Sequence, residues 1–345
     1  MAILDVRGLR TEFTGSRGPV VAVDDVSFTV EAGEFVALVG ESGCGKSATA
    51  QSIMGLIPPQ AGRVTAGEVL FEGTDLLTMP ARELRRIRGK RMAMVFQDPM
   101  TSLNPVLTIS RQITEILETH LGLDRRAARR RAIELLEMVR IPAAESRLAA
   151  YPHELSGGMR QRVMIAMGLA CKPQLLLADE ITTALDVTIQ AQILQLLRDL
   201  VAETGTAVLF ITHDLGVVAE MADRVNVMYA GQIVEKAEVD DLFRTPGMPY
   251  TWGLLDSVPR IDLPRGGRLR PIEGRPPELS AVPTGCRFAA RCAFARDICR
   301  AENPDLMVLE PQGREPQLSR CWGMRPAAAG GWLDQSSRFE EPAHV

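Results

Sequence analysis

Short, unbroken apolar runs alternate with amphipathic stretches along most of this chain. Phe35–Val39, Leu175–Ala178, Ala207–Thr212 and Val225–Tyr229 have strand length and little polar interruption. Such runs suit strands covered on both faces. Ala48–Met54 and Ile189–Leu200 fall between them and read as helices. The alternation predicts an α/β domain with a parallel sheet and covering helices. Residues 3–97 alternate short strands with turns before and after one glycine-rich loop, and Thr14–Pro19 reads as a short insertion ahead of a strand at Val20–Val23. Residues 98–170 are helical by pattern, including Arg125–Met138 and Val163–Ala170, so a helical subdomain interrupts the sheet.

The pattern changes at Thr245. Pro246, Pro249, Pro259, Pro264, Pro271, Pro276, Pro277 and Pro283 follow in quick succession. Proline at that density forbids long helices and predicts an extended connector over the domain surface. The expected organisation is therefore an α/β domain over 1–244, a Pro-rich connector and Cys-rich extension over 245–325, and a mobile tail over 326–345.

Composition narrows the partners. The chain has 345 residues, 46% of them hydrophobic, enough for one large domain and a small appendage. A net charge of −4 argues against a broad nucleic-acid-binding face. The basic run Arg125–Arg131 continues into a helix with acidic residues one turn on, so it reads as a solvated helix face. No stretch approaches the ~20 apolar residues that span a bilayer. The first residues lack the charged-then-apolar layout of a secretory signal. A cytosolic chain is expected, with any membrane path supplied by other subunits.

Residues 40–47 read Gly-Glu-Ser-Gly-Cys-Gly-Lys-Ser, between an apolar strand and a helix. In G-x-x-x-x-G-K-S, glycines at Gly40, Gly43 and Gly45 let successive N–H groups face phosphate oxygens. Ser42, Cys44 and Ala48 lie along the same wrap. Lys46 can reach the β- and γ-phosphates, and the Ser47 hydroxyl can ligate Mg²⁺. A nucleoside triphosphate is the expected ligand. Further on, an apolar strand ends in Asp179-Glu180. An Asp there can hold Mg²⁺, and a Glu beside it can orient and deprotonate water. Leu155-Ser156-Gly157-Gly158-Met159-Arg160-Gln161 is a second anion-binding helix start, opened by a capping Ser. Two phosphate sites with a single Lys-bearing loop imply that the second faces another subunit's nucleotide.

These motifs, in this order, resemble the ATP-binding subunits of ABC transporters, and the resemblance spans roughly residues 1–325. LSGGMRQ resembles the family signature and Asp179-Glu180 its second Walker element. The resemblance implies that Gln97 senses the γ-phosphate, helps hold Mg²⁺ and touches the membrane partner. It implies that Thr183–Asp186 crosses a dimer interface, with Asp186 near the nucleotide, and that His213 is the switch histidine. One departure is Ile181, where the family has Pro after the Glu; a β-branched Ile is expected to keep that backbone extended. The family stacks an aromatic residue on adenine, which makes Phe13 the candidate; packing alone is the alternative. The competing function is a soluble ABC ATPase acting on ribosomes or DNA, but such proteins usually carry two cassettes or a coiled coil, and neither is present here.

Four of the six cysteines cluster as Cys286, Cys292, Cys299 and Cys321. Disulfides are disfavoured in a cytosolic chain, so a metal centre is expected. The spacing is not the C-x2-C pairing usual for structural zinc, and four thiolates on irregular loops suit a [4Fe–4S] cluster; zinc, free thiols and disulfides are the alternatives. The flanks of Cys286 and Cys292 resemble the extension of the dipeptide/oligopeptide importer ATPases (the D-type subunits), which binds an iron–sulfur cluster in that group. Gln97–Pro105, Tyr151–Glu154, Ala184–Gln192 and Pro249–Trp252 resemble the same branch. That resemblance implies a second related ATPase, two transmembrane permease subunits, an extracytoplasmic substrate-binding protein, and a peripheral position on the cytoplasmic face of the cell (inner) membrane. It leaves the cargo open among peptides, nickel chelates, opines and glycosides.

Overall fold

In a computed structural model, the described residues are 2–15, 18–183, 185–258, 272–309 and 316–339. In chain order, the strands are β1 (Ala2–Gly15), β2 (Gly18–Glu31), β3 (Phe35–Val39), β4 (Gly62–Phe71), β5 (Thr74–Asp75), β6 (Met92–Val95), β7 (Leu175–Asp179), β8 (Ala207–Thr212), β9 (Arg224–Tyr229), β10 (Gln232–Glu238), β11 (Met307–Val308) and β12 (Leu318–Ser319). The helices are α1 (Lys46–Ile53), α2 (Ala81–Ile87), α3 (Pro99–Ser102), α4 (Ile109–Leu121), α5 (Arg125–Met138), α6 (Ala144–Arg147), α7 (Gly157–Leu169), α8 (Val187–Thr204), α9 (Leu215–Met221), α10 (Val239–Arg244), α11 (Pro249–Asp256) and α12 (Asp297–Ala301). The chain divides into two compact units.

The first unit is built from the residues up to Asp5, Thr29–Phe35 and Leu70–Ile211. Here β6, β7 and β8 run parallel, with Met92 beside Leu175 and Leu175 beside Ala207. Every residue of β7 is buried, as its unbroken apolar sequence requires. Helices α3 to α7 occupy the span expected for a helical subdomain. Ile109, Ile113 and Leu117 bury one face of α4, and Ala128, Ala132, Leu135 and Leu136 one face of α5. Side chains cap the starts: Thr108 accepts from Arg111 N–H, and Asp124 from Ala127 N–H. Gly122 and Gly205 end α4 and α8 in the left-handed conformation.

The second unit comprises Val6–Phe28, Val36–Val69 and the residues from Thr212 on. Here β3 lies parallel to β9, β10 returns antiparallel beside β9, and β12 continues on β10, Glu235 opposite Ser319. Two expectations are corrected in this unit. The Pro-rich stretch contains a helix, α11, because Pro249 stands at its first position, where no N–H is needed; Tyr250, Thr251 and Trp252 are buried on it. Of the tail expected to be mobile over 326–345, residues 326–330 are exposed, whereas the segment around Trp332 is anchored. Trp332 donates its indole N–H to Phe294 O and stacks under Arg296, so an aromatic anchor overrides the Ala/Gly composition. The residues from 340 on, Pro259, Pro264, Pro271 and Ala184 lie outside the described residues.

Candidate functional site

The phosphate loop leaves buried β3 and turns into α1 within the second unit. Gly40 has φ +153, and a Cβ there would lie 2.1 Å from Met228 O; Gly45 has φ +111, and its Cβ would lie 2.3 Å from Ala22 O. Only glycine fits either position. The cap position of α1 is Gly45, in the left-handed conformation and with no side-chain cap. Lys46 is buried, and its ammonium donates to Gly40 O at 2.8 Å and Glu41 O at 3.0 Å. Ser42 and Gly43 are exposed at the tip, while Ser47 and Ala48 are half-buried on the first turn. Burial pushes the Cys44 thiol up to about 11 against the pull of Lys46, so it stays neutral and packs. His213 is exposed just after β8, where Asp214 caps α9.

The first unit brings Gln97 and Glu180 together: Gln97 Nε2 donates to Glu180 Oε2 at 2.9 Å, and Thr183 Oγ1 lies 3.2 Å from the same oxygen. Asp179 is buried at the end of β7. Glu180 has φ +47, an uncommon conformation for a residue with a side chain. Its N–H donates to Ile211 O at 2.9 Å, while Thr183 N–H returns to Glu180 O at 3.2 Å. Ile181 is therefore the second residue of a tight turn. That position favours Pro, and burial of the Ile side chain serves in its place.

Ser156 caps α7, accepting from Met159 N–H at 3.3 Å, and Asp186 caps α8 from Ile189 N–H at 2.9 Å. Ser156, Gly157, Gly158 and Asp186 line one open pocket of about 530 Å³, joined there by Arg140 and Arg162. Sequence reading missed the two arginines, which carry no motif. Ser156, Gly157 and Asp186 are exposed, and Val187 beside them is 83% exposed. Phe13 lines a different pocket, of about 390 Å³, with Gly15, Pro19 and Gly62 and with no residue of the phosphate loop.

The four clustered cysteines are free thiols. Burial raises Cys286, and pushes Cys292 and Cys321 up to about 12. Cys292 and Cys321 each interact electrostatically with Cys286 and Cys299, so the four converge. Main-chain N–H groups of Phe288 and Ala289 serve Cys286, that of Phe294 serves Cys292, and those of Gly323 and Met324 serve Cys321. Among the described residues no group of three or more His, Cys, Asp or Glu is placed to hold a single metal ion. No helix among the described residues is long and apolar enough to cross a membrane.

Comparison with known proteins agrees with these parts. Residues 23–183 match the ABC transporter family, and residues 234–299 match the oligopeptide/dipeptide transporter C-terminal region. A probable peptide ABC transporter ATP-binding protein of Sinorhizobium fredii is 53% identical over 320 residues, 93% of this chain and 94% of that protein. The oligopeptide transport ATP-binding protein OppD of Bacillus subtilis is 50% identical over 326 residues, 94% of this chain and 90% of that protein. Among solved structures, a dimeric ATP-binding cassette bound to ADP and Pi is similar at a TM-score of 0.62 and 30% identity, covering 68% of this chain and 98% of that one. These relatives favour transport over the ribosome- or DNA-acting alternative. The chain belongs to the ABC transporter family, in its oligopeptide/dipeptide branch, and is an ABC-type ATPase.

Proposed function

We propose that this chain powers uptake of dipeptides or oligopeptides. It would work beneath two permease subunits, beside a second related ATPase, on the cytoplasmic face of the membrane, with substrate delivered by an extracytoplasmic binding protein. The match of residues 234–299 to the oligopeptide/dipeptide transporter C-terminal region carries this reading, because the ATPase core alone does not distinguish cargo.

Each site residue has a role in hydrolysis. The N–H groups of residues 40–48 cradle phosphate, and Lys46 neutralises the β- and γ-oxygens. Ser47, Asp179 and Gln97 would hold Mg²⁺, which when bound offsets charge developing on the phosphates. Glu180 takes the proton of the attacking water, and its bond from Gln97 supports that orientation. His213 faces the γ-phosphate, Phe13 the adenine ring. Ser156, Gly157, Gly158 and Asp186 serve the nucleotide of the partner ATPase, as their exposure in an open pocket suits.

The cysteine set fits a [4Fe–4S] cluster held by Cys286, Cys292, Cys299 and Cys321. What supports this reading is that all four are free thiols, and that burial raises Cys286, Cys292 and Cys321 as thiols, so a metal centre would be what stabilises them as thiolates. Hydrolysis transfers no electrons, so the role is structural: the cluster staples an extension with little core of its own.

Vesicles carrying the full transporter with its ATPases facing an ATP-loaded lumen should accumulate labelled dipeptide or oligopeptide offered outside with the binding protein, and Lys46→Ala should abolish it. ATP-driven uptake of another solute class with no peptide uptake would overturn the cargo assignment. Chain purified anaerobically should contain about four iron atoms. Stoichiometric zinc without iron, or freely titrating thiols without metal, would overturn the cluster.

A further inference from the structure

Glu41, the second residue of the phosphate loop, is held at three places. Its N–H donates to the Tyr250 hydroxyl at 2.9 Å. Its carbonyl accepts from the Lys46 ammonium at 3.0 Å and from Cys44 N–H at 3.3 Å. Its carboxylate forms a bidentate pair with Arg291, Nη1 to Oε2 at 2.6 Å and Nη2 to Oε1 at 3.0 Å. The Arg291 side chain is 4% exposed and donates further to the carbonyls of Glu273 at 2.9 Å and Ile272 at 3.2 Å. It lies against the rings of Tyr229 and Phe288. Those rings and Tyr250 pack on one another, with centroids 4.6 to 5.4 Å apart.

The segment from Cys286 to Cys292 is thus bolted to the loop. At its near end Arg287 pairs with Asp24 and donates to Ala230 O, beside Gly231, whose N–H donates to Cys44 O at 2.8 Å. At its far end Arg291 grips Glu41. A buried bidentate Arg–carboxylate pair fixes orientation as well as charge. Charge matters at this position, because an uncompensated carboxylate beside Lys46 would repel a triphosphate.

We infer that Arg291 is a positioning residue for nucleotide binding: by neutralising and orienting Glu41 it sets the Lys46 loop, so the C-terminal extension governs affinity for ATP. The inference rests on residues 40–47 holding the nucleotide and is independent of the metal. The experiment is a fluorescent-ATP titration of the full-length chain. Absence of binding by the unaltered chain would fail the loop assignment itself. Arg291→Gln should weaken ATP binding about tenfold, because it leaves the Glu41 carboxylate uncompensated within the phosphate loop. Arg291→Gln with Glu41→Gln should recover part of that loss, which a merely structural role would not give. Binding by Arg291→Gln within about twofold of the unaltered chain, or losses that simply add in the double variant, would overturn the clamp. If Arg291→Gln does not fold, Arg291→Lys tests the same pair. It keeps the charge but cannot bridge both oxygens, so about threefold weaker binding is expected and unchanged affinity overturns the inference.

Discussion

The two helix starts that address phosphate are built in opposite ways. The start of α1 is closed: Lys46 is buried, Gly40 and Gly45 touch backbone on their Cβ sides, and Glu41 is gripped from the extension. The start of α7 is open: Ser156 and Gly157 are exposed, and a Cβ at Gly157 would meet nothing within 4 Å. A loop braced at Gly40, Glu41, Gly45 and Lys46, with only its Ser42–Gly43 tip exposed, is shaped within its own chain. An exposed, glycine-lined helix start beside an 83%-exposed Val187 is half of a site. The contrast explains how one chain can carry two phosphate-binding helix starts with a single lysine.

The sharpest way to break this comparison is chemical. Glu180→Gln keeps shape and removes basicity. The assembled complex, with its partner site also disabled, should bind ATP while turnover falls about 10²- to 10⁴-fold. Near-normal hydrolysis would remove Glu180 from its role. Next is the closed loop. Gly40→Ala must place a Cβ against Met228 O at a φ favoured only by glycine, so denaturant titration should show a loss of about 3 kcal/mol or more.

Bracing of the extension gives a pH signature. Glu235 is fully buried on β10 and accepts from Thr251 Oγ1, Gly247 N–H and Gln317 Nε2. Burial pushes its carboxyl from 4.5 up to about 7, more than those donors lower it. The folded state therefore favours the protonated form. Its contribution is fully present below about pH 4.5 and is lost as pH rises through about 7, by roughly 3 kcal/mol at most. Thermal melts of Glu235→Gln should lack that decline; an unchanged slope would place the titration elsewhere. The smallest stability effect belongs to the open start: Gly157→Ala should shift stability by less than about 0.5 kcal/mol, since its Cβ meets nothing within 4 Å, yet slow hydrolysis in the complex if this start serves the partner's nucleotide as proposed.

Legibility in the sequence followed the range of the interactions. Apolar runs announced β3, β7, β8 and β9 within a residue or two, and helical spacing announced α5 at its observed ends. Glycine spacing announced the phosphate loop because tight backbone turns are local. The turn after Glu180 went unannounced, because a buried Ile stands where proline would have signalled it. The tail's packing depends on Trp332 meeting Phe294 and Arg296, and the loop's brace on Arg291 meeting Glu41, 250 positions away. Such pairs leave no period in the sequence. Glu235 was likewise invisible, since an isolated acid in a strand reads as solvent-facing until its partners converge on it.

The most direct test is the turnover of the chain alone. Purified and verified as a monomer, it should bind ATP through its closed loop but hydrolyse it far more slowly per site than the assembled complex, because the proposed arrangement assigns Ser156 to a partner's nucleotide. Equal turnover per site in monomer and complex would contradict the account.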